Sequence, residues 1–312
     1  MKKLIVNFWL IPVFLIALVF SACDPRADES PTDFRITSPE FENGFLVIQR
    51  AAEGPTVFQI ETNHPVEFSN RYNEDNFQVD PSGEITLTPP QTTNDIFWVE
   101  VVISDSEKKI LPVVFANRPE QYKNVINSLV NFQNHNDELV LFFRHMIADV
   151  GADMEDSEVE DWWKSCESSD ARQLSESGKN QAKLIGNTFK KLNIPVGEAI
   201  SSEMCRAFQS LEYMELGMPI QKYGLINHAS CNNLENIFPE VMDLVPDYMN
   251  PEEILLVAGH SNLLMGNPFE GQFSFFRMGD GFLLKKGNQG ELELLGGVPF
   301  DIWRSILYSD FL

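Results

Sequence analysis

Apolar residues along this chain fall into two textures. Between Phe34 and about Asn117 they come in short runs that alternate with polar positions, FLVIQ, TVFQIE, EITLT and FWVEVVIS, separated by turn clusters such as DPSGE and PPQTTND. Period-two alternation marks a half-buried strand, because successive side chains leave opposite faces. Strands at this spacing predict a small antiparallel β-sandwich over residues 34–118. After ANRPEQ the pattern changes. Val125, Leu129 and Phe132 predict a helix within 120–133, and the unbroken apolar run Leu139 to Phe143 predicts a buried strand. Ser175 is placed to N-cap a helix carrying Ala182, Ile185, Phe189 and Leu192 on one face, stopped by Asn193 and Pro195. EAISS predicts a short strand, EMCRAFQSLEYMEL a helix, and Ile254 to Ala258 a further apolar strand. Alternating strands and helices predict an α/β domain over residues 119–312, a mostly parallel sheet with helices on both faces.

The first residues stand outside this scheme. MKKLIVNFWLIPVFLIALVFSAC has two lysines, a long apolar core and small residues before a cysteine, the form of a secretory signal. Phe20-Ser21-Ala22-Cys23 resembles the bacterial lipobox, in which the cysteine is lipidated and becomes the new N-terminus; Phe20 departs from the usual Leu. This implies a signal peptide over residues 1–22, a lipid anchor at Cys23 and an extracytoplasmic location in a bacterial cell envelope. An uncleaved N-terminal anchor is the alternative. DPRADESPTD, completing a segment 23–33, is polar and aperiodic, as a tether would be.

The sequence has 23 basic and 46 acidic side chains, a net charge of −23, which becomes −25 once Lys2 and Lys3 leave with the signal. Such a surface repels nucleic acid and anionic membranes, so a phosphate site here must be a local cluster of arginines working against the global field. Beyond Cys23 three cysteines remain, Cys166, Cys205 and Cys231. An oxidising compartment allows one disulfide and one spare thiol among them.

Two apolar strands run straight into titratable chemistry. One ends in Arg144-His145, the other in Gly259-His260-Ser261. In open α/β sheets ligands bind beyond the carboxyl ends of the strands, so the two histidines are candidates for one crevice. A phosphomonoester needs a nucleophile and fixed positive charge around its oxygens; neutral imidazole supplies the first and guanidinium the second. Arg206, near the start of a helix, is the second candidate guanidinium, and that helix N-terminus adds partial positive charge.

Taken in order, LVLFFRHM, LSESGKNQAKLIGNTFKKLNIPVGEAISSEMCRAFQS and ILLVAGHSN resemble the histidine phosphatase superfamily, the phosphoglycerate-mutase-like fold, over about residues 137–305. The Ser201 to Arg206 segment, the position of Cys166 and the tail MGDGFLLKKGNQGELELLGGVPFDIW are similar to one bacterial branch of it. The resemblance implies that His145 becomes a phosphohistidine, that Arg144 and Arg206 grip the phosphoryl oxygens, and that His260 hydrogen-bonds the same group. In the N-terminal unit NFQVDPSGEITLTPPQTTNDIFWVEVVISD resembles a cadherin-type repeat without its acidic calcium motifs.

Departures from the superfamily pattern bear on activity. Met146 stands where Gly or Ala is usual, and a long side chain there would narrow the pocket mouth or alter substrate choice. Gln209-Ser210 replaces Gln-Thr or Asp-Thr. No general acid is evident: Glu235 is the first candidate, with Asp170 and Glu203 behind it, and a solvated surface acid is the plainer account of Glu235. Cys166 and Cys205 are candidates for a disulfide pinning the turn before Arg206, with two free thiols as the alternative. ADMEDSEVEDWWKSCESSD lacks the EF-hand order and reads as a solvated insertion, with Trp162 and Trp163 as core or substrate contacts. Arg172 reads as an ordinary surface cation rather than a phosphate contact. His64, His135 and His228 show no ligand spacing, so no metal is expected, and no nucleotide-binding glycine loop points to a cofactor.

The sequence thus leads to an extracytoplasmic lipoprotein that hydrolyses a phosphorylated small molecule through a phosphohistidine, a histidine acid-phosphatase-type phosphomonoesterase. The rival, favoured by Met146 and the missing acid, is an inactive phosphatase-fold protein used for binding or adhesion.

Overall fold

A computed structural model of the chain describes residues 33–72, 74–88, 96–151, 153, 160–232, 237–264, 269 and 276–312. The N-terminal unit has strands β1 (Phe41–Glu42), β2 (Phe45–Gln49), β3 (Thr56–Gln59), β4 (Glu67–Asn70), β5 (Phe77–Val79), β6 (Glu84–Leu87), β7 (Ile96–Val102) and β8 (Lys108–Ala116). They form a five-stranded sheet, β1-β2-β8-β7-β4, facing a three-stranded one, β3-β6-β5. The expected all-antiparallel pairing is broken once: β2 and β8 are parallel, Leu46 opposite Val113.

Leu46, Ile48, Phe97, Val99, Val113 and Phe115 fill the space between the sheets, with Phe77 stacked on Phe97 at 4.5 Å. The alternate residues Phe45, Val47, Ile96, Trp98, Val114 and Ala116 leave the opposite face of the large sheet, and they too are buried. They share one cluster with residues of the following unit, among them Val125, Leu129 and Trp303. A sheet covered on both faces loses its polar alternation, which is why LPVVFA reads as continuously apolar.

The second unit begins with α1 (Pro119–Val130), whose first helical residue is a proline where no N–H is needed. Strand β9 (Leu139–Arg144) follows, then α2 (Glu176–Leu192), β10 (Val196–Ser201), α3 (Cys205–Glu212), β11 (Ile220–Lys222), α4 (Ala229–Asn232), α5 (Phe238–Leu244), β12 (Ile254–Gly259), β13 (Gly281–Lys286), β14 (Leu292–Val298) and α6 (Phe300–Tyr308). The sheet order is β11-β10-β12-β9-β13-β14. Its first four strands are parallel, and β13 and β14 close it as an antiparallel hairpin. Leu139, Leu141 and Phe143 face the cluster that takes in α1, α2 and α6, while Val140 and Phe142 face α5. Helices therefore cover both faces. The chain is an α/β fold with a β-rich N-terminal part, and among the described residues no helix is long and apolar enough to cross a membrane.

The two units are fastened at the C-terminus as well. The Arg304 guanidinium lies 4.9 Å from the Trp98 ring centroid, Phe311 packs on Phe41 at 5.8 Å, and the Ile110 N–H donates to Asp310 at 2.9 Å.

Ser175 caps α2 by accepting the Gly178 N–H at 3.0 Å and donates its hydroxyl to the Ile147 carbonyl at 2.8 Å. Asn193 ends the helix in the left-handed conformation. Gly178 is where α2 meets the loop after β9: a Cβ there would overlap the Ile147 carbonyl oxygen. Gly178→Ala is expected to destabilise the protein by about 1–3 kcal/mol, read as a lower urea midpoint.

Candidate active site

Backbone hydrogen bonds bring three strand ends together. Gly259 on β12 pairs with Arg144 on β9, and the His145 N–H donates to the Gly259 carbonyl at 2.9 Å. On the other side of β12, the Ser202 N–H donates to the Ala258 carbonyl at 3.0 Å. The residues just past β9, β12 and β10 are thereby set side by side. The His145 and His260 rings lie 5.2 Å apart, inclined at 62°, and are 3% and 1% exposed. Arg206, the second residue of α3, is 1% exposed.

The hydrogen bonds fix the tautomers. His145 Nδ1 lies 2.8 Å from the Met146 carbonyl, which only accepts, so Nδ1 carries the hydrogen and Nε2 keeps its lone pair. Ser202 Oγ accepts the Met204 N–H at 3.1 Å and lies 2.9 Å from His260 Nε2. Its own hydrogen finds no other acceptor among the described residues, so Ser202 donates to Nε2 and the His260 hydrogen sits on Nδ1.

Burial and charge keep both rings neutral. Burial above all, then the Arg206 guanidinium, pushes the His145 pKa from 6.5 down to about 3; Arg144 and Arg172 act in the same sense, and the Met146 carbonyl opposes them. His260 is held well below its ordinary value by burial, then by His145 and Arg206. Three buried donor atoms at this site have no partner among the described residues: Arg144 Nε, Arg206 Nε and His260 Nδ1. An unpaired buried donor is costly, and donors of this kind near His145 are chemically suited to the oxygens of an anion.

Each guanidinium is otherwise fixed. Arg144 Nη1 donates to the Phe276 carbonyl at 2.7 Å. Arg206 is gripped end-on by Asp153, Nη1 to Oδ1 at 3.0 Å and Nη2 to Oδ2 at 3.1 Å, and that carboxylate is 5% exposed. Asp153 also accepts the Arg172 N–H at 3.0 Å, with the Arg172 guanidinium 3.7 Å away. Burial alone would raise the Asp153 pKa, but the Arg172 N–H and the Arg206 charge outweigh it and hold it low. Asp153 stood unmarked inside an acidic run, where nothing distinguished it from its solvated neighbours.

Several expectations need correction. Arg172 is no ordinary surface cation, since its charge acts on His145, Arg144 and Arg206. Met146 does not narrow the mouth: it is fully buried in the main core, its N–H donating to Ser210 Oγ at 2.9 Å. Glu203 and Asp170 are committed elsewhere. Glu203 accepts from Trp163 Nε1 and Asn227 Nδ2, and Asp170 from the hydroxyls of Ser165 and Ser169. Glu235 and Cys23 lie outside the described residues. Cys166 and Cys205 form a disulfide, Cα atoms 5.4 Å apart, which ties the segment before α2 to the residue preceding Arg206; Cys231 lies outside the bridge. Trp162 is a core residue, packed with Ala171 and Met204. His64 bonds Asp33 at 2.7 Å, and His135 lies 3.4 Å from Asn127, both away from the site. His228 does belong here, its ring 5.6 Å from that of His260.

The buried neutral His145 makes stability depend on pH. Its folded pKa lies below its unfolded one, so below pH 6.5 the unfolded chain binds a proton that the folded chain refuses until about pH 3. Its contribution is present above pH 6.5 and is lost as pH falls through that window, with a slope of up to about 1.4 kcal/mol per pH unit. Urea melts across this range are expected to show the slope in the native chain and a shallower one in His145→Gln.

No family model matches the chain, and no curated protein does. Solved structures do. The protein histidine phosphatase SixA complexed with tungstate is 17% identical, with 53% of this chain and 98% of that one covered and a TM-score of 0.39. A putative phosphohistidine phosphatase SixA from Agrobacterium tumefaciens is 16% identical over 52% and 97%, with a TM-score of 0.37. Phosphoglycerate mutase from Plasmodium falciparum is 15% identical over 53% and 95%, with a TM-score of 0.34. Each of these alignments takes in about half of this chain and nearly all of the solved one.

Proposed function

We propose that the α/β unit hydrolyses phosphomonoesters through a phosphohistidine on His145. The observation that carries this is the set of three unpartnered buried donors, Arg144 Nε, Arg206 Nε and His260 Nδ1, near an imidazole whose Nε2 lone pair is bare. In the first step Nε2 attacks phosphorus, the ester P–O bond breaks, and its electron pair stays on the leaving oxygen. The guanidinium groups and His260 Nδ1–H hold the charge of the equatorial oxygens. Water then attacks the phosphohistidine, returning the P–N electron pair to His145 and releasing inorganic phosphate. The substrate is a phosphorylated small molecule, because the reacting nitrogen is nearly sealed beneath the surface.

A second reading draws on Asp153. Both Nη groups of Arg206 are already taken by a carboxylate, as in a protein that keeps the fold and binds anions without turnover. Acid-stable and base-stable trapping separates the two. With p-nitrophenyl phosphate, a base-stable, acid-labile phosphoenzyme is expected, and His145→Ala is expected to lose it together with at least about 1,000-fold in kcat/KM. Phosphate binding by a wild-type protein that never forms the phosphoenzyme would favour the second reading.

The same proposal places the protein on the outer side of a bacterial membrane, lipid-anchored at Cys23. The sequence of the leader supports it, and so does the Cys166–Cys205 bridge, which suits an oxidising compartment. Expressed with its leader, the protein is expected to fractionate with membranes and Cys23→Ala to shift it to the soluble fraction; an unchanged distribution would argue against lipidation.

A further inference from the structure

Arg206 is held at both ends. At its backbone, the Cys166–Cys205 bridge fixes the preceding residue, and the Ser210 hydroxyl donates to the Arg206 carbonyl at 2.7 Å while accepting the N–H of Met146, the residue after His145, at 2.9 Å. At its tip stands Asp153. The two carboxylate oxygens lie 3.0 Å from Nη1 and 3.1 Å from Nη2, the end-on pairing that sets the plane of a guanidinium as well as its place. Asp153 is anchored in turn. It accepts the Arg172 N–H at 3.0 Å, and the chain just before it is joined to the same segment, the Asp149 N–H donating to the Gln173 carbonyl at 2.8 Å and Ala148 bridging to Leu174.

We infer that Asp153 is a positioning residue of the proposed reaction, its carboxylate holding the Nη fork of Arg206 so that the edge carrying Nε is kept for phosphoryl oxygens. This rests on the phosphohistidine reading of His145. A guanidinium carries five N–H donors in one fixed plane, enough for an oxyanion on each of two edges. Asp153 takes the edge between the Nη groups; Nε–H, on the other edge, is buried without a partner among the described residues. Neutralising Arg206 would need only one oxygen, whereas pairing both Nη groups also stops the plane from turning.

The carboxylate's own charge is shared. Oδ2 lies 3.1 Å from Arg206 Nη2 and 3.7 Å from Arg172 Nη2, so two cations stand against one acid and positive charge remains to meet an incoming anion. The same contacts define the opposing account, in which the carboxylate competes with phosphate for Arg206. Removal of Asp153 then has opposite signs: a positioning acid is missed, a competitor is not. A positioning acid is also missed only while Arg206 is there to be positioned.

The test is the rate of phosphohistidine formation from p-nitrophenyl phosphate in a single turnover. Asp153→Asn is expected to slow it by about 100-fold, chiefly in the maximal rate, because orientation counts most in the transition state. In an Arg206→Gln background the same substitution is expected to cost nothing or to raise the rate. Formate added to Asp153→Gly is expected to restore the rate in proportion to its concentration, which also reports a folded variant, and to restore nothing when Arg206→Gln is present. A faster reaction in Asp153→Asn, with tighter binding of inorganic phosphate, would overturn the inference in favour of competition. An unchanged rate, a loss that formate does not restore, or an equal loss in both backgrounds would overturn it while leaving His145 in place. A wild type that forms no phosphohistidine would overturn the reading of His145 and this inference with it.

Discussion

Positive charge buried without enough negative charge to match it is the constraint around which this protein is built. Arg144, Arg172 and Arg206 all act on the His145 imidazole, and the described residues set two buried carboxylates against the three, Asp153 beside Arg206 and Arg172 and Asp280 acting on Arg144. A charge held away from water costs several kcal/mol unless it is paired. The fold must therefore be stable enough elsewhere to sustain an arrangement that favours an anion. Burial first, and then the same guanidinium groups, keep His145 unprotonated, so a neutral imidazole and the positive charge beside it are held by one arrangement.

Sustaining that choice falls to covalent and apolar contacts around the rim. The Cys166–Cys205 bridge fixes the residue next to Arg206, and a disulfide of this kind contributes about 2–4 kcal/mol. Behind the sheet, Phe143 lies 6.0 Å from Trp303, and Trp303 stacks on Phe189 at 5.3 Å. That cluster continues into the sandwich through Trp98 and Phe45. The sandwich is thus no separate bead on a tether: its large sheet is one wall of the core against which β9, the strand that delivers His145, is packed.

Much of this was legible in the sequence because it depends on local pattern. Unbroken apolar runs gave β9 and β12, and the histidines that follow them, since a strand buried on both faces has no polar alternation to misplace. Ser175 and Asn193 bounded α2 through capping chemistry that acts over three or four residues. What stayed hidden depends on contacts distant in sequence. Asp153 is one acid among many until Arg206, 53 positions away, meets it. Met146 looked like an obstruction because Gly or Ala is usual at that place, yet its side chain is taken up by the main core. His228 has no spacing relative to His145 or His260 that a motif would capture; only the parallel placement of β11 brings it to them. The second apolar face of the sandwich was visible in LPVVFA, but its meaning required a partner surface.

Three imidazoles then lie close to one another in three environments, His260 within 5.2 Å of His145 and 5.6 Å of His228 by ring centroids. His145 is sealed, gives its Nδ1 hydrogen to a carbonyl and presents a lone pair. His260 is sealed, takes a hydroxyl hydrogen on Nε2 and presents an N–H. His228 is half open to water and sits beside a serine able to serve either protonation state of Nδ1. Asp153 completes the balance from the far side of Arg206. By holding the two Nη groups it leaves Nε as the unpartnered donor, so one guanidinium is anchored to the protein at its tip and has a buried N–H without a partner among the described residues along its edge.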